Sequence, residues 1–185
     1  MAKVAKNMFV RGLTGSLGEQ FVIRKGRGGS TIISDKPTFG ADRVFTDEQL
    51  AHQEDFQQAI LYARSVKDEP VYVAKAEGTE MTAFNAAVAD WFNKPVVLQI
   101  DARAWNGQSG QTIRVKAKDD TRVTQVTVRI TAADETLLEQ GEAVQVDNLW
   151  WAYTSTTVVA DPASARIVAT AEDRPGNRAE LVWQN

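Results

Sequence analysis

Apolar and polar positions along this chain follow two different periods, and the change between them divides it. Near the start, apolar residues come in short runs broken by glycine. Residues 7–12, 18–25 and 30–35 read as three short strands; in the second, Phe21 and Ile23 alternate with Gln20, Val22 and Arg24. The turn Lys25-Gly-Arg-Gly-Gly29 supplies the positive-φ positions that a hairpin needs. A three-stranded ribbon of this size has too little core to stand alone, so it must pack on a helix, another domain or another copy.

Residues 37–44 read as a linker. Thr46-Asp-Glu-Gln49 then has the form of a capping box, in which the threonine oxygen takes the amide of residue 49 while the glutamine reaches back. A helix follows, with Phe56, Ala59, Ile60, Ala63 and Val66 on one stripe at a period of 3.6, and it should end near Lys67-Asp68. Pro70 is placed to open a short helical turn through Ala76. A second clear helix is predicted over 82–92, with Phe84, Val88, Trp91 and Phe92 on its stripe and Asn93-Lys-Pro95 as its stop. The resulting αα-hairpin is expected to pack against the N-terminal ribbon.

From Pro95 the period becomes 2. Strands are predicted at 96–102, 112–117, 123–132, 137–146, 149–155, 165–171 and 178–183, separated by Asn-Gly, Lys-Asp-Asp, Asp-Pro and Arg-Pro-Gly-Asn turn signals. Val123, Val126, Val128 and Ile130 line one face, as do Leu149, Trp151 and Tyr153. Seven short strands at roughly 10-residue spacing imply an antiparallel sandwich of the immunoglobulin-like kind. The fold class is therefore α+β: residues 1–94 form a small β-ribbon with an αα-hairpin, serving assembly or attachment, and residues 95–185 form the seven-stranded sandwich. With no cysteine to bridge its sheets, Trp151 supplies core volume.

The run Ala169-Thr-Ala-Glu-Asp-Arg-Pro-Gly-Asn177 is similar to the last hairpin of many bacterial immunoglobulin-like domains. The N-terminal half resembles an uncharacterised bacterial family that opens with the same glycine-spaced hairpin, then a Lys-Pro linker and a helix beginning Thr-x-x-Gln. The resemblance implies architecture and no catalytic residues.

Composition narrows the chemistry. At 185 residues the chain can bury a real core without staples. The absence of cysteine removes disulfides, thiolate metal sites and thiol nucleophiles, and a lone histidine, His52, removes any histidine-pair site. His52 lies in the first turns of a predicted helix, where a solvated surface role is the simpler reading. Gly12-Leu-Thr-Gly15-Ser-Leu-Gly18 invites comparison with a phosphate loop, but no Gly-Lys-Ser/Thr ending and no helix follow it. These glycines are instead expected to let one backbone approach another, within the subunit or between subunits. No Gly-x-Ser-x-Gly elbow surrounds any serine. The chain thus reads as a non-enzyme with no cofactor. Calcium is the one ion its loops could gather, through Asp101, Asp119, Asp120, Asp134, Glu135, Asp147 and Asp173.

Charge is distributed unevenly. Residues 1–43 hold eight basic and three acidic side chains, a net +5, so the overall −3 leaves −8 on the remainder. A basic head on an acidic body suits head-to-tail complementarity between copies. Nucleic-acid binding would use the same basic residues, but apart from Phe21 no aromatic stacking position stands among them. The apolar run after the basic start, Met8-Phe-Val10, is too short for a signal-peptide core, and no 18-residue apolar window offers a membrane span. An extracellular filament or particle, reached by lysis, by a dedicated route or after loss of a leader, is the expectation.

The functional expectation is a structural protein that self-assembles by β-strand addition, a filament subunit or a component of a phage-tail-like particle. Its candidate interface comprises Val4, Met8, Phe9, Val10, Arg11, Gly12, Gly15, Gly18, Arg24, Arg27, Trp105 and Trp150. The tryptophans enter because an exposed Trp is a frequent interface anchor. The alternative is an adhesin-like module recognising a glycan or protein through the sandwich.

Overall fold

The computed structural model describes residues 2–4, 13–26, 30–38 and 44–184. Of the candidate interface, Met8, Phe9, Val10, Arg11, Gly12 and Arg27 lie outside the described residues, as does the strand expected at 7–12. The described chain is α+β and mostly β, with three helices and three antiparallel sheets. Its contacts divide it into Met1–Gln49 and Leu50–Asn185.

The first unit holds β1 (Ala2–Val4), β2 (Gly15–Leu17), β3 (Phe21–Lys25) and β4 (Thr31–Asp35), ordered β1-β4-β3-β2. The expected hairpin is present: Ile23 faces Ile33 and Lys25 faces Thr31 across β3 and β4, and the Gly26 amide closes the turn on the Ser30 carbonyl at 2.6 Å. The strand expected at 18–25 starts only at Phe21, because residues 18–20 form a turn that returns the chain from β2. That turn corrects the reading of the glycines. Gly15 has φ +132° and Gly18 φ +61°, yet a Cβ at either would meet nothing within 4 Å. Within one copy of the chain, it is backbone conformation and not a close approach to a described atom that requires glycine there. Crowding is found instead at Gly26, where a Cβ would stand 2.6 Å from the Ser30 hydroxyl and 2.8 Å from Ile32.

The capping box forms as expected, with the Thr46 amide donating to Gln49 Oε1 at 3.2 Å and the Gln49 amide to Thr46 Oγ1 at 3.3 Å. It opens α1 (Asp47–Val66), followed by α2 (Pro70–Ala76) and α3 (Ala83–Phe92), whose N-cap Thr82 accepts from the Asn85 amide at 3.1 Å. On α1 the buried residues are Ala59 and Ala63, with Phe56 left exposed at the end of the stripe. The face of α3 is rotated from the expected one. Ala86, Ala87 and Asp90 are fully buried, Phe84, Val88 and Trp91 are half-buried, and Phe92 is exposed. Two alanines at that position let the helix approach closely, with Tyr72 as the large side chain against them.

The helices belong with the larger sheets, so the contacts divide the chain at 49/50 and not at the expected 94/95. The reason is polar. Asn177 Nδ2 donates to the Trp91 carbonyl at 3.1 Å, Lys75 Nζ reaches Asp120 at 2.7 Å, and Arg174 pairs with Glu69. Helix ends are thereby tied to two turns of the sheets.

The remaining strands are β5 (Val96–Asp101), β6 (Thr112–Lys118), β7 (Val123–Thr131), β8 (Leu137–Glu142), β9 (Val144–Gln145), β10 (Trp150–Thr154), β11 (Arg166–Asp173) and β12 (Arg178–Gln184). They form two sheets, β5-β6-β10-β9 and β12-β11-β7-β8. Both line one core, to which Ile113, Val115, Trp151 and Tyr153 come from the first and Val126, Val128, Ile130, Ile167 and Ala169 from the second. The single strand expected at 137–146 is in fact two. β8 pairs with β7, Ala143 turns inward with its amide on the Val126 carbonyl at 2.8 Å, and β9 pairs with β10 in the other sheet. Eight strands therefore stand where seven were expected.

A bulge explains how Val123 and Val126, an odd number of residues apart, both point inward. Glu172 faces Gln125 while Asp173 faces Val123, leaving Thr124 unpaired in the ladder. Its hydroxyl reaches the carbonyls of Glu172 and Asp173 at 3.0 and 2.9 Å, donating across the bulge.

Candidate functional site

The three helices and the turns beside them converge on a buried carboxylate. Asp90 lies in the last turn of α3 and is wholly shielded from solvent. Its Oδ2 accepts from the Tyr72 hydroxyl at 2.6 Å, and Tyr72 in turn lies 2.6 Å from the Tyr62 hydroxyl. Because the Tyr72 proton goes to Asp90, Tyr62 is the donor in that second bond. A hydroxyl relay thus runs from α1 through α2 to α3. Burial pushes the Tyr72 hydroxyl far up, and its bonds to Asp90 and Tyr62 act in the same direction.

Two more carboxylates close on Asp90 from the turn between β6 and β7. One ligand oxygen from each of Asp90, Asp119 and Asp120 lies within 4.8 Å of the others. The turn residues are there for local reasons: Asp119 Oδ2 accepts the amides of Thr121 and Arg122 at 2.9 and 2.8 Å, which is ordinary turn chemistry. Asp120 Oδ2 is held by Lys75 at 2.7 Å and by Asn93 at 2.9 Å. By contrast, Asp90 Oδ1 and Asp119 Oδ1 are buried with no hydrogen-bond partner. Burial pushes the Asp90 carboxyl up against the pull of the Thr121 and Tyr72 hydroxyls, and the charges of Asp119 and Asp120 push it further. Burial would raise Asp120 as well, but Lys75 and Asn93 outweigh it and hold that carboxyl low. Asp173 adds a fourth acid to the neighbourhood. Its Oδ1 accepts the Gly176 and Asn177 amides at 2.9 and 2.7 Å, and burial with the nearby Asp119 charge keeps it above the usual range.

Glu139 shows what a satisfied buried carboxylate looks like in the same fold. It accepts from the Tyr153 hydroxyl at 2.6 Å, from the Thr156 amide and hydroxyl, and from the Thr157 amide at 3.3 Å. Burial alone would raise its carboxyl; the donors outweigh burial and hold it below the usual range.

Of the loop acids expected to gather for calcium, only Asp119 and Asp120 share a described cluster, and Asp90, which sequence reasoning missed, completes it. Asp101 is engaged by Arg103, whose guanidinium holds its carboxyl at about 2. Asp134 and Asp147 accept turn amides of Thr136 and of Leu149 and Trp150, while Glu135 pairs with Arg166. Asp90 sits among alanines on a helical face, and that placement was the available signal: an acid there must find a partner or a proton.

Six of the candidate interface residues lie among the described ones, four in the first unit and two in the second. Val4 has its backbone paired with Thr31 in β1, Gly15 and Gly18 flank a turn, and Arg24 is exposed on β3. Trp105 is a correction. It was expected at the surface and is only 5% exposed, packed in the core of the two large sheets. Trp150 and Trp151 do face opposite ways, with Trp151 in the core and Trp150 half-buried. The Arg114 guanidinium lies over the Trp150 ring at 4.7 Å from its centroid, and Lys116 Nζ lies at 5.7 Å. His52 is exposed, 6.0 Å from the Phe92 ring. Among the described residues, no helix is long and apolar enough to cross a membrane.

No family model and no curated protein matches this chain. Among solved structures it is similar to the crystal structure of an engineered protein, 22% identical with a TM-score of 0.36, over 55% of this chain and 25% of that one. The chain spans about a quarter of that protein's length, and a likeness at this level carries no functional argument.

Proposed function

We propose that the chain is a non-enzymatic structural protein that associates with copies of itself head to tail, as a filament subunit or a component of a phage-tail-like particle. The observation that carries this reading is the composition of the first unit's surface. Among its described residues, Ile23 is the one buried apolar side chain, whereas Leu13, Leu17, Phe21, Val44 and Phe45 are exposed. A small sheet gains stability by covering an apolar face, and a second copy is the occupant that charge favours, +5 on residues 1–43 meeting −8 on the rest. The mechanism is strand addition. β1 is terminal in the order β1-β4-β3-β2, so one side of its backbone pairs with no other described strand of that sheet, and the chain through residue 12 continues from it. Repeated head to tail, such a contact does not close.

We read the two larger sheets as an immunoglobulin-like sandwich. Counting β8 and β9 as one bent fourth strand, the order supports it: the first, second and fifth strands share one sheet and the third, sixth and seventh the other. Sedimentation velocity and negative-stain microscopy test the assembly. The full chain should polymerise, and a variant lacking residues 1–12 should be a folded monomer. A full chain that stays monomeric, or a truncated one that still assembles, would refute the proposal.

A further inference from the structure

We propose that Asp90, Asp119 and Asp120 form a calcium site that locks the helices onto the β6–β7 turn. The acids alone would not argue this. The decisive feature is that Asp90, with no solvent exposure, spends Oδ2 on Tyr72 and leaves Oδ1 buried without a partner at hydrogen-bond geometry, as is Asp119 Oδ1; the Thr121 hydroxyl that also pulls on Asp90 stands nearby but outside that geometry. A buried carboxylate oxygen without a donor is costly unless a proton or a cation meets it. Three carboxylates against the one ammonium bonded to them, that of Lys75, leave two negative charges on the cluster itself, the complement of a divalent ion, with Lys94 and Lys118 lining the recess outside it.

Geometry and donor type point to calcium. The three ligand oxygens lie within 4.8 Å of one another, so a common centre stands no more than about 2.8 Å from each, and a small closing of the cluster brings them into the calcium–oxygen range of roughly 2.3–2.6 Å. All donors are hard oxygens, and they come from a helix and a turn, which suits the irregular coordination that calcium accepts better than the strict octahedron of magnesium. Lys75 does not block the site, because it binds Asp120 Oδ2 and Thr121 Oγ1 and leaves the other Asp120 oxygen free to turn inward. A surface recess lined by Asn93, Lys94, Lys118, Asp119 and Asp120 gives access from solvent. Waters would complete the coordination shell.

The function of such an ion is mechanical coupling. It would join α3 to the sheets where Asn177 already ties α3 to the β11–β12 turn. The test is calcium titration of the full chain after stripping of metal, followed by calorimetry and by thermal melting. Calcium at about a hundredfold above its dissociation constant should raise the folding constant about 100-fold and the melting temperature by several degrees. Asp90→Asn and Asp119→Asn should each abolish the calcium-dependent shift, and the half-exposed Asp119 provides the test if the Asp90 variant does not fold. An equal shift with magnesium would overturn the assignment to calcium. Unchanged melting up to about 10 mM calcium, beyond the weakest extracellular sites, would overturn the site altogether, as would a shift that survives in Asp119→Asn.

Discussion

Replacing Glu139 by alanine should destabilise the larger unit far more than an average surface substitution, although Glu139 is charged. Four donors converge on it, and the Tyr153 hydroxyl among them is only 5% exposed. The Thr156 and Thr157 groups sit at the surface and can turn to water. Tyr153 cannot, and a buried donor left without a partner costs about 1–3 kcal/mol. A hydrogen bond to a charged acceptor contributes about 1.5–3 kcal/mol, and because the two terms overlap, the loss should be about 3–4 kcal/mol. At about 2–4 °C per kcal/mol, melting should fall by roughly 10 °C. Urea unfolding followed by tryptophan fluorescence reads this directly, since Trp105 and Trp151 both leave the core on unfolding. Tyr153→Phe should cost about 1–2 kcal/mol, and the double variant should lose less than the two single changes together. The pH dependence has a definite sign. A carboxyl held below its unfolded value adds stability that is full above the ordinary carboxylate range and disappears as pH falls through the depressed native value. The gap between the parent protein and Glu139→Ala should therefore be widest near neutrality and narrow below about pH 4. A loss under about 1 kcal/mol near neutrality, or a gap independent of pH, would refute the reasoning.

Two further substitutions test the backbone. Gly107 has φ +86°, and a Cβ there would stand 2.5 Å from the Val159 carbonyl oxygen, so Gly107→Ala should cost about 3 kcal/mol or more in denaturant titration; a loss under about 1 kcal/mol would show that the loop gives way. Thr124→Val preserves shape while removing both hydroxyl bonds across the bulge; a cost of about 1–2 kcal/mol, with faster hydrogen exchange at the neighbouring amides, is expected, and unchanged exchange would count against a structural role for the hydroxyl.

Local signals in the sequence were read at the right places. The capping box, the proline that opens α2 and the period-2 runs correspond to α1, α2 and seven strand positions, because each rests on chemistry within a few residues. What needed three dimensions was read less well. Nothing in 137–146 marks a break, since Ala143 is neither glycine nor proline; the change of sheet is imposed by competition between β7 and β10 for pairing. Trp105 precedes the turn residues Asn106 and Gly107, which suggest a surface loop, and only the folding of that loop over the core hides it. The Phe84, Val88, Trp91 and Phe92 stripe drew attention from the smaller Ala86, Ala87 and Asp90 face, whose value lies in how closely a neighbour can approach. The helices were assigned to the ribbon because sequence proximity is silent about hydrogen bonds such as that from Asn177 to Trp91, made across 86 positions.

The passage of one run of chain from β8 through Ala143 into β9 also bears on how the protein would carry a load. Sheets that meet only through side chains resist sliding by dispersion forces, which yield gradually. Here, tension applied to one sheet reaches the other through covalent backbone, within the few residues between Glu142 and Val144. To shear the sheets apart, the β7–β8 ladder or the β9–β10 ladder must first be torn open. A unit so stitched should rupture under pulling in one step at high force.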